Sequence, residues 1–197
     1  MPISLQSLTP TPQATGPASR WVQRWSHLVA PKGSVLDIAC GQGRHMKWFA
    51  EQGHRVTGID QSAQALQVAA NFGKVVLADI ENEPWPLNID GEARQFHAVI
   101  VTNYLWRPLF PVITQSVAPG GLLIYETFSK GNETVGKPAR PDFLLQPTEL
   151  LRVFNEFHIV AFEDGFLENP PRFVQRIAAK RSVLHEADPL NPSRYAL

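Results

Sequence analysis

Asp37-Ile38-Ala39-Cys40-Gly41-Gln42-Gly43-Arg44-His45 gathers a carboxylate, a thiol, two glycines, a guanidinium and an imidazole in one short run. Two glycines one residue apart let a backbone turn tightly and approach a ligand that a Cβ would obstruct. If a helix starts directly after them, its free amides favour an anionic group. A dinucleotide loop carries a third glycine three residues after the second, but this chain has Met46 there. It has instead an acid, Asp37, four residues before the first glycine. Cys40 reads as a small residue buried at a tight loop, because no histidine is evidently paired with it as a nucleophile requires. The six histidines (27, 45, 54, 97, 158 and 185) lack metal-ligand spacing and the single cysteine forbids an intrachain disulfide, so no metal site is expected.

These residues need elements to position them. Ser34 to Ile38 is a short branched run that predicts a first strand, and Arg44 to Gln52 carries Met46, Phe49 and Ala50 on one helical face before Gly53. Arg55 to Ile59 predicts a second strand, with Ser62 as N-cap of a helix packing through Leu66, Ala69 and Ala70 and ending at Gly73. Lys74 to Ala78 and Phe96 to Thr102 predict strands three and four. Leu109, Val112, Ile113, Ser116 and Val117 then recur at helical spacing, with Pro108 and Pro111 near the first turn. Pro119-Gly120-Gly121 introduces a fifth strand, Leu122 to Phe128. Strands separated by helical crossovers pair in parallel, and the ligand of such a sheet lies beyond the strand C-termini where the winding reverses. That place is the loop after strand one.

The flanks are read in the same way. Trp21, Trp25, Leu28 and Val29 share one face of a short helix ending near Pro31, chiefly a core-packing stripe. Residues 129 to 146 have no period and are expected to form a lid. Pro147 starts a helix with Leu150, Val153 and Phe154 on one face, and His158 to Phe166 pairs antiparallel with Arg172 to Arg181. The expected fold is α/β, a Rossmann-like doubly wound seven-stranded sheet, mainly parallel with an antiparallel C-terminal hairpin strand. One domain over residues 20 to 184 is expected between tails at 1 to 19 and 185 to 197.

The strand-end acid followed by Gly-x-Gly resembles motif I of the class I S-adenosylmethionine (SAM)-dependent methyltransferases, and the likeness extends over residues 34 to 128. The run GQGRH followed by VTGIDQS is similar to the small bacterial branch that includes the tellurite-resistance enzymes. The resemblance implies SAM as cofactor, S-adenosylhomocysteine as product, and a cofactor site of Asp37, Ala39, Gly41, Gly43, Arg44, Asp60, Gln61, Asp79, Ile80 and Asn103. Asp60 matches the acid that accepts hydrogen bonds from both ribose hydroxyls, which suits a carboxylate with two acceptor oxygens. Asp79 and Ile80 match the adenine position, Arg44 lies near the methionine end, and Asn103 and Tyr104 fall beside the methyl group. Asp60 and Asp79 also have an ordinary alternative as strand-end acids or helix caps.

Asn103-Tyr104-Leu105-Trp106 departs from the Asp/Asn-Pro-Pro-aromatic motif of amino-methylating members, which puts N-methylation of a base in doubt. No catalytic residue is fixed by the sequence; Tyr104, Glu126 and His45 are the titratable candidates for taking a proton from a hydroxyl or thiol. Trp21, Trp25, Tyr104, Trp106, Arg107, Glu126 and the 129 to 146 loop are expected to wall the acceptor. The rival readings are a non-catalytic SAM-binding module and an NAD(P)-dependent oxidoreductase, the latter disfavoured by Met46 and Asp37.

Composition bounds the remaining choices. The chain has 197 residues, 44% hydrophobic and 18% charged, with 18 acidic and 18 basic residues. That describes a soluble globular domain. There is no apolar run of about twenty residues to span a membrane and no basic start followed by an apolar stretch to act as a secretory signal, so a cytoplasmic address is expected. Zero net charge argues against a nucleic-acid partner, which would favour a basic excess. With the cofactor half taking residues 34 to 128, a small acceptor transferring through an O, S or metalloid nucleophile is expected. The acceptor's identity and the oligomeric state stay open.

Overall fold

A computed structural model describes residues 16–182 and Tyr195. Of the tails expected at 1 to 19 and 185 to 197, residues 1–15 and 185–197 other than Tyr195 lie outside the described residues, while Ala18 is buried and Ser19 caps α1. The chain forms α1 (Arg20–Trp25), β1 (Ser34–Ile38), α2 (Arg44–Glu51), β2 (Arg55–Asp60), α3 (Ala63–Ala69) and β3 (Lys74–Leu77). There follow β4 (Asn88–Ile89), β5 (Glu92–Ala93), β6 (Phe96–Thr102), α4 (Phe110–Ser116), β7 (Val117–Phe128), α5 (Glu149–Val153), β8 (Phe157–Glu168) and β9 (Pro171–Arg181).

Seven strands make one sheet in the order β3-β2-β1-β6-β7-β9-β8. Neighbours are parallel from β3 to β7, and β9 runs antiparallel to both β7 and β8. The winding reverses between β1 and β6, so the loop after β1 opens at the switch point as the sequence predicts. Both faces are covered. One core layer includes Leu36, Ile38, Val99, Val101, Tyr125 and Phe154, and the other Val35, Ile100, Ile124, Met46, Phe49 and Trp25. Alternate residues of β1 and β6 thus serve opposite layers, and near-continuous apolar runs result.

Met46, which occupies the third-glycine position, fills the space above Gly58 of β2. A Cβ on Gly58 would lie 2.3 Å from Met46 Sδ and 2.7 Å from Cys40 Sγ. The close helix-to-sheet contact that a third glycine provides elsewhere is made here by a glycine on the strand, with Met46 as the knob. Gly58→Ala is therefore expected to lower stability by about 1 to 3 kcal/mol through overpacking, read as a lower urea midpoint with an unchanged slope.

Four elements differ from the sequence reading. Asn88–Ile89 and Glu92–Ala93 form a small antiparallel hairpin closed by Asp90 (φ 52°) and Gly91 (φ 85°), the pair of left-handed residues that a tight hairpin turn requires. β7 begins at Val117, before the Pro-Gly-Gly turn rather than after it, because Phe96 pairs with Val117 across an irregularity. Residues 129 to 146, expected to be a lid without structure, fold as two short 3₁₀ turns with Leu144, Leu145 and Asn132 buried. Leu145 N–H donates to Phe128 O, Lys130 N–H to Leu145 O, and Asn132 bonds both Pro138 O and the N–H of Phe173. Arg107, expected to face the acceptor, clamps this segment instead, donating to Glu149 at 2.7 Å and to the carbonyls of Asp142 and Leu144. Trp21 and Trp25 pack edge to face at 2% and 1% exposure, so the core reading of that stripe holds rather than the pocket-wall one.

Candidate active site

The β1–α2 loop takes left-handed backbone at Ala39 (φ 54°), Gly41 (φ 54°) and Gly43 (φ 80°). The two glycines serve different ends. A Cβ on Gly43 would meet Ala69 at 3.0 Å, so this residue lets α2 pack against α3, while nothing lies within 4 Å of one on Gly41, which faces open space. Asp60 holds the loop in place: its Oδ2 accepts from Gly41 N–H and its Oδ1 from Ser62 N–H, each at 2.8 Å. Each oxygen keeps a lone pair for a further donor. Ser62 caps α3 as expected, its hydroxyl accepting from Ala65 N–H.

Ala39, Asp60, Gln61, Ala78, Asp79, Ile80, Glu81 and Tyr104 line a cleft along the ends of β1 to β3. Its walls combine the small side chains of Ala39 and Ala78 with Ile80, an apolar slot with the two acceptor oxygens of Asp60 at one end, which fits a nucleoside. Asp79 is engaged as the ordinary alternative had it. Its Oδ1 accepts from the N–H of Glu81 and its Oδ2 from the Asn82 amide, and these bonds hold its carboxyl below the usual range. A second cleft, of about 370 Å³, continues past Ala39 between Cys40, Gly41, Gln42, Arg44, His45, Thr102, Asn103 and Tyr104. It is polar, and its depth carries a buried pair. Asp37 is 1% exposed and neither of its oxygens has a hydrogen-bond partner among the described residues. An orphaned buried acid beside a nucleoside slot fits the ammonium of an amino-acid chain, so the residues present suit SAM.

His45 fills the other half of that pair. Ser19 N–H donates to His45 Nε2 at 3.2 Å, so the neutral ring carries its proton on Nδ1, which faces Thr102 Oγ1 at 3.4 Å and Asp37 Oδ2 at 3.9 Å. Burial and the Arg44 charge push its pKa down to about 3. Burial likewise pushes the Asp37 pKa up to about 8, against the pull of Arg44. The two shifts act oppositely on stability. Where unfolded Asp is ionised and the folded carboxyl is protonated, from about pH 4 to 8, the folded state loses ground as pH rises. Where unfolded His is charged and the folded ring is neutral, from about pH 3 to 6.5, it gains. They offset one another up to about pH 6.5, so ligand-free stability is expected to fall between about pH 6.5 and 8. Asp37→Asn should flatten that decline in denaturant titrations; an unchanged slope would remove Asp37 as its source.

Past the second cleft lies a smaller cavity of about 220 Å³, lined by Glu81, Asn103, Tyr104, Leu105, Thr127, Phe128, Pro138 and Phe143. Tyr104 borders all three spaces. The backbone there is fixed by β7: Asn103 (φ 54°) donates its N–H to Glu126 O, and Tyr125 OH donates to Tyr104 O. Tyr104 OH is buried beside the Glu81 carboxylate, and burial together with that neighbour pushes its pKa up. The hydroxyl therefore stays protonated and is a donor rather than a base. Glu126 is no free base either. At 1% exposure it accepts from Ser19 Oγ at 3.1 Å and pairs with Arg176 at 3.4 Å and Arg172 at 3.7 Å.

The structure thus brings Ala39, Gly41, Arg44, His45, Asp60, Gln61, Asp79, Ile80, Asn103 and Tyr104 to adjoining clefts that share Ala39 and Tyr104, with Asp37 buried behind His45, Gly43 behind the loop, and Glu126 buried outside their linings. Cys40 lies buried in the wall, where burial and the two aspartates push its thiol pKa up, so it does not serve as a thiolate. Ser19, Glu81, Arg172 and Arg176 escaped the sequence reading. Arg172 and Arg176 stand four apart on a strand and so share a face with Glu126 across the β7–β9 pairing, but a register between strands is not legible in sequence.

A reversed seven-stranded sheet with a strand-end acid, an open glycine loop and a second acid ending β2 is the class I SAM-dependent methyltransferase fold. Residues 35–121 match a family model described as a methyltransferase domain. YqeM of Bacillus subtilis strain 168 is 30% identical over 123 residues, covering 57% of this chain and 49% of that protein. Malonyl-[acyl-carrier protein] O-methyltransferase of Salmonella typhimurium is 33% identical over 102 residues, covering 50% of this chain and 40% of that enzyme. The chain spans less than half the length of these two relatives. Among solved structures, TehB of Haemophilus influenzae superposes with a TM-score of 0.65 at 19% identity, over 82% of this chain and 61% of that one. Residues 35–121 are thus similar to a methyltransferase domain, and the sheet has the fold of the SAM-dependent methyltransferases. Among the described residues no group of acids, histidines and cysteine could hold a metal ion, and no helix is long and apolar enough to cross a membrane.

Proposed function

We propose that the chain transfers a methyl group from SAM to a small-molecule acceptor, through an O, S or metalloid nucleophile, by in-line displacement. The observation that carries this is the groove itself: the open space above Gly41 and the unspent lone pairs of Asp60 continue, past Tyr104, into the 220 Å³ cavity. When bound, SAM supplies a sulfonium methyl that is already activated, so alignment and desolvation remain for the protein, with orientation worth as much as about 7 to 11 kcal/mol.

Asp60 would hold the ribose hydroxyls, Ile80 and the Asp79 turn the adenine, and Asp37 with Arg44 the two charges of the methionine end. Tyr104 would donate to a polar atom at the junction of donor and acceptor, while Leu105, Phe128, Pro138 and Phe143 exclude water. A cavity of that size suits a small acceptor. An oxygen nucleophile has the further support that one sequence relative is an O-methyltransferase. Residues 20 to 184 are read as one methyltransferase domain.

Calorimetric titration with SAM and with NADH tests the reading, SAM heat without NADH heat being expected. Tight NADH binding with no SAM heat would sink it in favour of an oxidoreductase. Methyl transfer from labelled SAM to a panel of thiols, phenols and carboxylates tests turnover, and SAM binding without turnover on any of them would favour a binding module.

A further inference from the structure

Resting on that reading for the place of the donor, we infer that the Arg172 guanidinium is an oxyanion-binding group of the acceptor site, and that the acceptor is a small molecule bearing a carboxylate or phosphate.

The argument starts from the charges at the sheet's C-terminal rim, on the face that α1 covers. Arg44, Arg172 and Arg176 converge there on one buried carboxylate, Glu126. Arg176 is fully occupied. It binds Glu163 through two nitrogens, reaches Glu126, and lies over the Trp21 ring at 4.8 Å. Glu126 is occupied as well, since Ser19 Oγ donates to both its oxygens. Among the described residues Arg172 has the 3.7 Å pairing with Glu126, beyond hydrogen-bonding distance, as its one ion pair, and its Nε is buried with no hydrogen-bond partner. A buried guanidinium N–H left unmade costs more than the bond would contribute. Its planar fork matches a carboxylate or phosphate.

Arg44 does not relieve this excess. It lines the polar cleft, it is partly desolvated, and Arg172 opposes it as a like charge. Asp37, the next carboxyl, is buried against His45 and is taken by that reading for the methionine ammonium. Arg44 in the lining of the polar cleft and Arg172, a quarter exposed near it, therefore share with Arg176 the single carboxylate of Glu126. Arg44 stands beside the loop and suits the methionine carboxylate, which leaves Arg172 for a second anion. The position also suits an acceptor. Asn103, whose N–H donates to Glu126 O, lines both the polar cleft and the apolar cavity, so the carboxylate that Arg172 pairs with lies on the strand residue behind the junction of the two. None of Tyr104, His45 and Glu126 is free to take a proton, and an acceptor that arrives ionised needs no base.

The test uses protein saturated with S-adenosylhomocysteine and three probes of one shape: benzoate, phenyl phosphate and benzamide, titrated calorimetrically. Wild type is expected to bind one or both anions at least tenfold more tightly than the amide. Arg172→Gln should bring that preference down to within about twofold of unity, with S-adenosylhomocysteine affinity kept within about twofold, and Arg172→Lys should keep most of the preference. Equal binding of anions and amide by wild type overturns the inference, as does a preference that survives in the folded Gln variant. A Gln variant that loses S-adenosylhomocysteine affinity tenfold with probe binding unchanged assigns Arg172 to the methionine carboxylate and overturns it too. Failure of wild type to bind S-adenosylhomocysteine is seen before any probe is added; it overturns the methyltransferase reading and the inference with it.

Discussion

Gly41→Val is expected to abolish measurable SAM binding in a protein that still folds. At φ 54° a β-branched residue is strained by about 1 to 3 kcal/mol, yet no atom lies within 4 Å of the new Cβ, so the core is untouched. The side chain would project into the groove where backbone and ligand meet. Gly41→Asn separates the two causes, because asparagine tolerates left-handed backbone. If the groove is blocked, Asn should fail as Val does, whereas recovery of affinity by Asn would place the defect in backbone strain. Calorimetry with SAM, alongside urea unfolding of each variant, reads both quantities. Wild-type affinity in the Val variant would remove this loop from the site.

Asp60→Ala is expected to weaken SAM binding by roughly 1 to 3 kcal/mol by leaving the ribose hydroxyls without their acceptor. Its two oxygens also anchor Gly41 N–H and Ser62 N–H, so the substitution should loosen the loop and the start of α3 as well. Losing a helix-start acceptor of this kind costs about 1 kcal/mol, and a lower urea midpoint should accompany the lost affinity. Asp60→Asn keeps one acceptor oxygen and turns an NH2 toward the other backbone donor, so its urea midpoint should fall between those of wild type and the Ala variant while it too binds SAM more weakly. Unchanged affinity in a folded Ala variant would remove Asp60 from the ligand.

Most of the cofactor half was legible because its signals are local. β1 and β6 match their expected ends, and β2, β3 and α2 lie within one residue of theirs. Buried parallel strands are continuous apolar runs closed by glycine or an acid, and Ser62 marks a helix start through its own hydroxyl. The 129 to 146 segment misled for the opposite reason. Its order comes from Arg107, Glu149 and Phe173, far away in sequence, and a segment held by distant partners has no period of its own.

The candidate site divides along the same line. The sequence alone determined the α/β class, the switch-point loop, and the acids Asp37 and Asp60 with the glycines between them. All of these are fixed by spacing within one strand-turn-helix unit. Only the tertiary structure decided what those groups are free to do. It buried Asp37 without a partner, set the His45 tautomer through Ser19, and spent Glu126 on arginines that β9 brings up at one particular register. A side chain's protonation and availability depend on its burial and on neighbours contributed by remote strands, and neither is written in the residues next to it.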